Sequence, residues 1–116
     1  MSFWTFDRLT QALTDELRGA RPEGHAPLGQ VVTDTRVVRA GDVFVALIGE
    51  RFDAHDFLRE AVTRGAAAVV ISDPARAIGL GVPVLVVEET TRALGALGRY
   101  RRRAWGGPVV AVAGSN

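Results

Sequence analysis

The sequence predicts a layered α/β/α domain with a mainly parallel or mixed sheet of about four to five strands and three helices. Two observations carry this prediction. Short, valine-rich apolar runs alternate along the 116 residues with longer stretches of helical periodicity. The runs at residues 43–48 and 67–71 are continuously apolar, which is typical of strands covered on both faces.

Composition excludes several classes of protein. Hydrophobic residues make up 47% of the chain and charged residues 23%, as in an ordinary globular domain. The chain has no cysteine, which excludes a disulfide framework and a thiolate metal site. The net charge of +1 does not favour nucleic acid, and no apolar run approaches the ~20 residues that span a bilayer. We expect a soluble, cytoplasmic monomer that binds no nucleic acid and does not insert into a membrane.

The first helix is predicted near the N-terminus. Thr5 fits its N-cap, and Gly19 fits the left-handed position that ends a helix. Pro22 prevents continuation, so residues 19–28 are predicted to be a loop. Four apolar residues recur at three- and four-residue spacing and would form the buried face: Phe6, Leu9, Leu13 and Leu17.

Two strands are predicted next, at residues 30–33 and 43–48. The tight turn that precedes the second strand contains Gly41, which tolerates positive φ, and Asp42, which can bond its own backbone. The longer apolar run suits a central strand better than a half-exposed one.

A second helix is predicted from residue 54 or 55 to residue 64. Asp53 is its candidate N-cap, and Gly65 ends it. Its inner face is predicted to comprise Phe57, Leu58, Ala61 and Val62.

The remaining elements follow the same alternation. A third helix begins at Thr90 or Thr91 and ends near Trp105, with Leu94 and Leu97 inside. Three further strands are predicted, at residues 67–71, 84–87 and 109–113.

A domain boundary is predicted at the Gly-Gly-Pro of residues 106–108. Residues 1–106 would form the first domain, and residues 107–116 the linker and first strand of another. That strand runs into Gly-Ser-Asn, as a phosphate-binding loop begins, although an ordinary strand ending in a turn is equally consistent. No lysine follows, so these residues alone are not expected to bind ATP productively.

The polar corner after the first predicted strand is a candidate ligand site. Ends of strands in α/β sheets are the usual ligand crevice. Hydroxyl groups of Thr33 and Thr35 could hold a pyrimidine or ribose, and Arg36 could pair with a phosphate. The alternative is a local ion pair between Asp34 and Arg36 that closes a turn, and the residues alone favour it.

The loop after the second predicted strand is dense in charge, with the sequence ERFDAHD at residues 50–56. His55 lies beside two carboxylates, an arrangement compatible with acid/base chemistry. A structural role for His55 is favoured, with Asp53 as a helix cap and Phe52 as a lid over the core. A metal site is not predicted, because no second histidine stands at ligand spacing.

The run Arg-Tyr-Arg-Arg-Arg at residues 99–103 resembles a nucleic-acid patch in composition. It falls in the C-terminal half of a predicted helix, where cations complement the helix dipole. The helical reading is favoured because the rest of the chain supplies no matching basic surface.

Three segments read together carry a resemblance to a known family. TDTRVVRAGDVFVALIGERFDAHDF, AVTRGAAAVVISD and VVAVAGSN, in this order and spacing, resemble the N-terminal part of the MurF-type Mur ligases. MurE-type ligases share a DxR–GDxFVA pattern, but they usually lack the E-R-F-D spacing and tend to have GTN where this chain has GSN. The resemblance therefore favours the MurF type.

The resemblance implies a three-domain enzyme of peptidoglycan precursor synthesis. Its first domain would hold the UDP part of UDP-N-acetylmuramoyl-tripeptide, its second would bind ATP and Mg²⁺, and its third would bring in D-alanyl-D-alanine. ATP would phosphorylate the peptide carboxylate, and the dipeptide amine would attack the acyl phosphate to form an amide. This chain would be the UDP-recognition domain, inactive alone and without a bound cofactor.

The resemblance also assigns residues. Thr33 and Thr35 match the corner that meets the uridine, and Arg36 matches the arginine of that corner, with a phosphate-binding or structural role. Ala54 and Ala113 depart from the glycine and threonine that the family often has. The loop that closes on the nucleotide and the opening of the ATP loop are matched by Glu50, Arg51 and Phe52 and by Gly114, Ser115 and Asn116.

Two alternatives fit the same residues. One is the N-terminal domain of a MurE-type ligase, which adds a single amino acid instead of a dipeptide. The other is a non-catalytic α/β binding module that keeps this fold without an ATPase.

Overall fold

A computed structural model describes residues 3–19, 22, 24 and 27–105. Within them the chain forms three α-helices, four strands and three short 3₁₀ turns. The helices and strands are α1 (Phe6–Ala12), β1 (Val31–Val32), β2 (Val43–Val45), α2 (Leu58–Thr63), β3 (Ala68–Ile71), β4 (Val84–Val86) and α3 (Thr90–Trp105). The 3₁₀ turns are Thr35–Val37, Ala54–Phe57 and Pro74–Ala77.

The four strands form one parallel sheet in the order β1-β2-β3-β4. Val31 pairs with Val43, Phe44 with Val69 and Val70 with Leu85. Every residue of β2 and β3 is buried, as predicted for central strands. However, β2 ends at Val45, and Ile48 at the end of the predicted strand is 52% exposed, because it bridges Asp53 in the following loop. The α/β prediction is therefore confirmed, and the sheet is parallel throughout.

Side chains alternate between the two faces of the sheet and build a core on each. One face packs against α1 and α3, and the other packs against α2 and the 3₁₀ turns, which gives three layers. The first core includes Leu9, Leu13, Val43, Val45, Val70, Leu85 and Leu97. The second includes Phe44, Ala46, Leu58, Ala61, Val69, Ile71 and Ala77.

The first helix is shorter than its apolar periodicity predicts. The Thr5 hydroxyl caps it by accepting from the Arg8 amide, but the helix ends at Ala12. Leu17 instead forms an antiparallel bridge with Val87, at the edge beside β4. Leu17 has helical spacing in the sequence, yet in the structure it pairs with the edge of the sheet. Gly19, two residues later, has positive φ.

The second helix begins later than predicted. Asp53 is the N-cap, but it caps the 3₁₀ turn Ala54–Phe57, and α2 starts only at Leu58. A 3₁₀ turn has three residues per turn, so Phe57 is rotated away from the face that Leu58 and Ala61 bury. Phe57 is 44% exposed, and its predicted place on the inner face is wrong.

The turn before β2 has the predicted chemistry. Gly41 adopts a φ of 91°, and the buried Asp42 carboxylate accepts from the backbone amides of Gln30 and Arg39 at 2.9 Å each. Gly65 ends α2 with a φ of 113°. Asp42 therefore joins the start of β1 to the start of β2.

Several predictions fall outside the described residues. They are the boundary at residues 106–108, the strand at residues 109–113, and the phosphate loop at Gly114, Ser115 and Asn116. No described helix combines the length and the apolarity needed to cross a membrane.

Candidate functional site

A cavity of about 570 Å³ lies beyond the carboxyl ends of β1 and β2. Because parallel strands end at the same edge, the polar corner after β1 and the charged loop after β2 meet there. The floor and the rim are built from three segments. The lining residues are Thr33, Asp34, Thr35 and Arg36 from the corner, Phe44, Leu47 and Phe52 from β2 and its loop, and Ala54, Phe57 and Glu60 from the 3₁₀ turn and α2.

The corner is closed by an ion pair. The Asp34 carboxylate accepts from the Arg36 backbone amide at 2.9 Å, and it pairs with the guanidinium through Nε at 3.0 Å and Nη2 at 2.7 Å. The side-chain hydrogen bond from Arg36, followed by the backbone one, lowers the pKa of Asp34 from 3.8 to about 2. The local ion pair favoured from the residues alone is thus present. Of the five guanidinium N–H donors it leaves three, the two on Nη1 and the second on Nη2, on a side chain that is 82% exposed.

The two threonines of the corner differ in exposure. Thr35 is buried within the first turn of Thr35–Val37, whereas Thr33 is exposed at the end of β1. Both line the cavity. The corner therefore contributes two threonines of different exposure, together with Arg36, to the lining.

The loop after β2 folds as a tight hairpin over residues 47–54, which we call the β2 hairpin. Ile48 and Asp53 form an antiparallel bridge, and the Gly49 amide donates to the Phe52 carbonyl at 2.9 Å. Phe52 lies directly over Gly49, because a Cβ added at Gly49 would be 2.4 Å from its ring. Phe52 lines the cavity, whereas Glu50 and Arg51 at the tip are exposed and do not.

The base of the β2 hairpin is held by a polar network around His55. Asp53 accepts from the His55 amide at 2.9 Å, and its Oδ1 is 2.7 Å from His55 Nδ1. The Ser72 amide, just after β3, donates to His55 Nε2 at 3.1 Å. Arg76, from Pro74–Ala77, pairs with Asp56 and with Asp53. Burial opposes ionisation of Asp53, but the hydrogen bonds from His55 and the charge of Arg76 lower its pKa overall.

The residues that line the cavity suit ligand binding better than acid/base catalysis. Both ring nitrogens of His55 are engaged, and the residue does not line the cavity, so it is not placed as an acid or base there. Glu60 on the rim pairs with Arg64 at 3.1 Å. Among the residues described, no group of three acidic or histidine side chains could hold a metal ion. Aromatic side chains, two threonines and one arginine line the cavity together, a combination that is typical of small-molecule pockets.

The arginine run lies on the exposed side of α3, in its C-terminal half, as the helical reading predicts. Arg101 and Arg8 both place their guanidinium groups over the Phe3 ring, at 4.6 and 4.4 Å from its centroid. Tyr100 donates to the Gln11 side chain of α1 at 2.8 Å. This segment fastens α3 to the N-terminus and is remote from the cavity lining.

A family model described as "Mur ligase family, catalytic domain" matches residues 28–102, which include the whole corner and the β2 hairpin. The chain belongs to the Mur ligase family. It is 42% identical over 112 residues to UDP-N-acetylmuramoyl-tripeptide–D-alanyl-D-alanine ligase from Escherichia coli, which covers 97% of this chain and 23% of that protein. It is also 42% identical over 88 residues to UDP-N-acetylmuramoyl-L-alanyl-D-glutamate–2,6-diaminopimelate ligase from Streptomyces coelicolor, covering 73% and 17% of the two chains.

Solved structures of the family share this fold. MurF from Acinetobacter baumannii superposes with a TM-score of 0.71 at 38% identity, over 87% of this chain and 21% of that one. MurF from Thermotoga maritima in complex with ADP gives 0.54 at 37% identity, over 60% and 16%. The chain spans less than a quarter of the length of these Mur ligases.

Sequence reasoning found Phe52 but missed the other apolar residues of the lining and Glu60. Phe44 could have been found, because strand alternation places it on the face opposite Val43 and Val45. Phe57 and Glu60 reach the cavity only through the packing of the 3₁₀ turn and α2, and no local signal marks them.

Proposed function

We propose that this part of the chain binds the UDP moiety of UDP-N-acetylmuramoyl-tripeptide in a MurF-type ligase. The observation that carries the proposal is the cavity at the ends of β1 and β2, which combines aromatic walls with two hydroxyls and a guanidinium. A pyrimidine needs an apolar face and a few directional hydrogen bonds, and a diphosphate needs a cation. The choice of a UDP-sugar as the ligand rests on the names of the relatives, which include UDP-N-acetylmuramoyl-tripeptide.

The proposed contacts divide between base and phosphate. Thr33 and Thr35 hydrogen-bond the uridine, and Phe52 covers the base from the β2 hairpin. Arg36 meets the diphosphate through Nη1, while Asp34 holds Nε and Nη2 in place. Glu50 and Arg51 would contact the ligand only if the hairpin tip bends inward, because neither lines the cavity.

For the whole enzyme we propose the reaction that the MurF relatives' name states: ligation of D-alanyl-D-alanine to the tripeptide precursor, in the cytoplasm. The family uses ATP with Mg²⁺. The residues of this chain do not fit ATP by themselves, since the chain has no lysine to reach the β- and γ-phosphates. The part of the substrate that these residues handle is the nucleotide.

A MurE-type function is the second candidate. This chain is 42% identical to the Streptomyces coelicolor diaminopimelate ligase, the same percentage as to the Escherichia coli relative, although over 88 residues instead of 112. Nucleotide recognition would be common to both types, so the corner does not separate them. Incubating the full-length enzyme with ATP and each amine, together with the peptide carboxylate that the amine extends, would separate the two types. D-alanyl-D-alanine is paired with UDP-N-acetylmuramoyl-tripeptide, and diaminopimelate with UDP-N-acetylmuramoyl-L-alanyl-D-glutamate. We expect ADP release with the first pair, and release only with the second pair would establish the alternative.

The binding proposal is tested by titrating the 116-residue chain with UDP and following backbone amide shifts by NMR. We expect saturable shifts centred on Thr35 and Phe52, with weak affinity because the rest of the substrate and protein is absent. Thr35→Val keeps the shape but removes the hydroxyl and should weaken binding about tenfold. Arg102→Gln, on the exposed side of α3, is the matched control and should bind as the unmodified chain does. Flat shifts at the corner in millimolar UDP would refute the proposal.

A further inference from the structure

His55 is the buried polar side chain whose contacts the binding proposal leaves unused. Its side chain is fully buried and does not line the cavity. A backbone amide can only donate, so the Ser72 N–H requires a lone pair on Nε2. The ring proton of the neutral imidazole is then on Nδ1, where it donates to Asp53 at 2.7 Å. The surroundings thus select one tautomer.

The two partners of the imidazole belong to different strand ends. Asp53 closes the β2 hairpin through its bridge with Ile48, and Ser72 is the first residue after β3. The imidazole therefore joins the hairpin to the neighbouring strand. Arg76 adds a second link, because it follows β3 in the chain and pairs with Asp53 and Asp56.

We propose that His55 is a positioning residue for the nucleotide cavity. It holds the β2 hairpin against the end of β3, and thereby keeps Phe52 over Gly49 at the cavity rim. The ligand part of this inference rests on the proposed function, whereas the positioning of the hairpin does not. The effect on a uridine nucleotide is indirect, since the imidazole does not reach the cavity.

Two substitutions separate the two hydrogen bonds. His55→Asn places an amide N–H near the position of Nδ1 and retains a donor for Asp53, but it loses the acceptor for Ser72. His55→Gln can place an oxygen near the position of Nε2 and retains the acceptor, but it loses the donor. If only bulk mattered, the two amide variants would behave alike.

The first measurements need no ligand. In the unmodified chain, imidazole ¹⁵N shifts should show the proton on Nδ1, and a proton on Nε2 would overturn the proposal. Exchange of the Ser72 amide should be about tenfold faster in His55→Asn and nearly unchanged in His55→Gln. The Phe52 ring resonances should shift in both variants.

The control is Leu13→Val, which thins the core on the opposite face of the sheet, a core to which neither Phe52 nor His55 belongs. It should leave the Phe52 ring shifts in place even where it lowers stability. Equal shifts in Leu13→Val and the His55 variants would show that general loosening, not positioning, is responsible, and would overturn the proposal.

The last measurement compares the affinity of the same variants for UDP. Both should bind UDP about three- to tenfold more weakly than the unmodified chain. If the unmodified chain fails to bind, the proposed function fails while the ligand-free measurements still decide the role of His55. If the unmodified chain binds UDP, and both variants bind it as tightly as the unmodified chain despite altered Phe52 shifts, the positioning role is refuted.

Discussion

Asp34 and Arg36, two residues apart, form a bidentate ion pair on the rim of the cavity: both carboxylate oxygens accept from the guanidinium. Because Asp34 restricts the rotamers of Arg36, the guanidinium is held in one orientation with Nη1 available to a ligand. The pair therefore leaves the corner with little net charge and with a guanidinium held in the orientation that the proposed phosphate contact requires.

The first prediction concerns the pKa of Asp34. The hydrogen bonds from Arg36 lower it to about 2 in the folded chain, against an ordinary value of 3.8. Because the folded pKa is depressed, the pair contributes to stability above the ordinary value, and that contribution is lost as the pH falls through about 2. Carboxyl ¹³C NMR of the chain should give this low midpoint. Arg36→Gln should return it toward 3.8.

Arg39→Gln is the matched control for that titration. It removes a positive charge three residues after Arg36 that does not contribute to the lowered pKa of Asp34, so the Asp34 midpoint should stay near 2. An Asp34 midpoint that remains low in Arg36→Gln would show that the pairing does not cause the shift.

The second prediction separates phosphate from base recognition at the corner. Arg36→Gln should weaken UDP binding about tenfold or more, since a hydrogen bond to a charged group contributes about 1.5–3 kcal/mol. It should leave the affinity for uridine, which has no phosphate, nearly unchanged. Thr35→Val should weaken both ligands by similar factors. Calorimetry or amide-shift titration with both ligands provides the measurement, and an equal loss of UDP and uridine affinity in Arg36→Gln would contradict a phosphate role.

The layered fold was predictable because its signal is local. The apolar runs at β2 and β3 identify buried strands without reference to the rest of the chain. The end of α1 was not predictable in this way. Leu17 has helical spacing, yet its bridge with Val87 joins residues far apart in sequence, and periodicity contains no information on such pairing.

The site was predictable to the extent that strand ends determine it. Thr33, Thr35 and Arg36 follow a strand, so a rule about sheet topology placed them at the crevice. Phe57 depends on a 3₁₀ turn that helical periodicity cannot distinguish from the first turn of α2. The structural role favoured for His55 has its physical reason in Ser72, which comes from the next strand.

The third prediction uses the contact between Phe52 and Gly49. Gly49→Ala adds a Cβ that would lie 2.4 Å from the Phe52 ring, so the ring must move. We expect displaced Phe52 ring resonances and UDP binding weakened by several-fold, on the order of 1 kcal/mol. Gly98→Ala in α3 is the control, because its Cβ would meet only the Arg102 side chain at 3.5 Å. Unchanged Phe52 resonances in Gly49→Ala would mean that the β2 hairpin is not packed as described.

The fourth prediction concerns the other end of the sheet, where Asp42 joins β1 to β2. Asp42→Asn preserves the shape but turns one acceptor into an N–H₂ group, which must face either the Gln30 or the Arg39 amide. A buried donor left without an acceptor costs about 1–3 kcal/mol, so the free energy of unfolding should fall by that amount in urea denaturation. Asp15→Asn, at an exposed position of the chain, should change it by less than about 0.5 kcal/mol. Since β1 borders the corner, amide exchange in Val31 and Val32 should also accelerate, and protected β1 amides in a destabilised Asp42→Asn chain would show that the carboxylate does not anchor this strand.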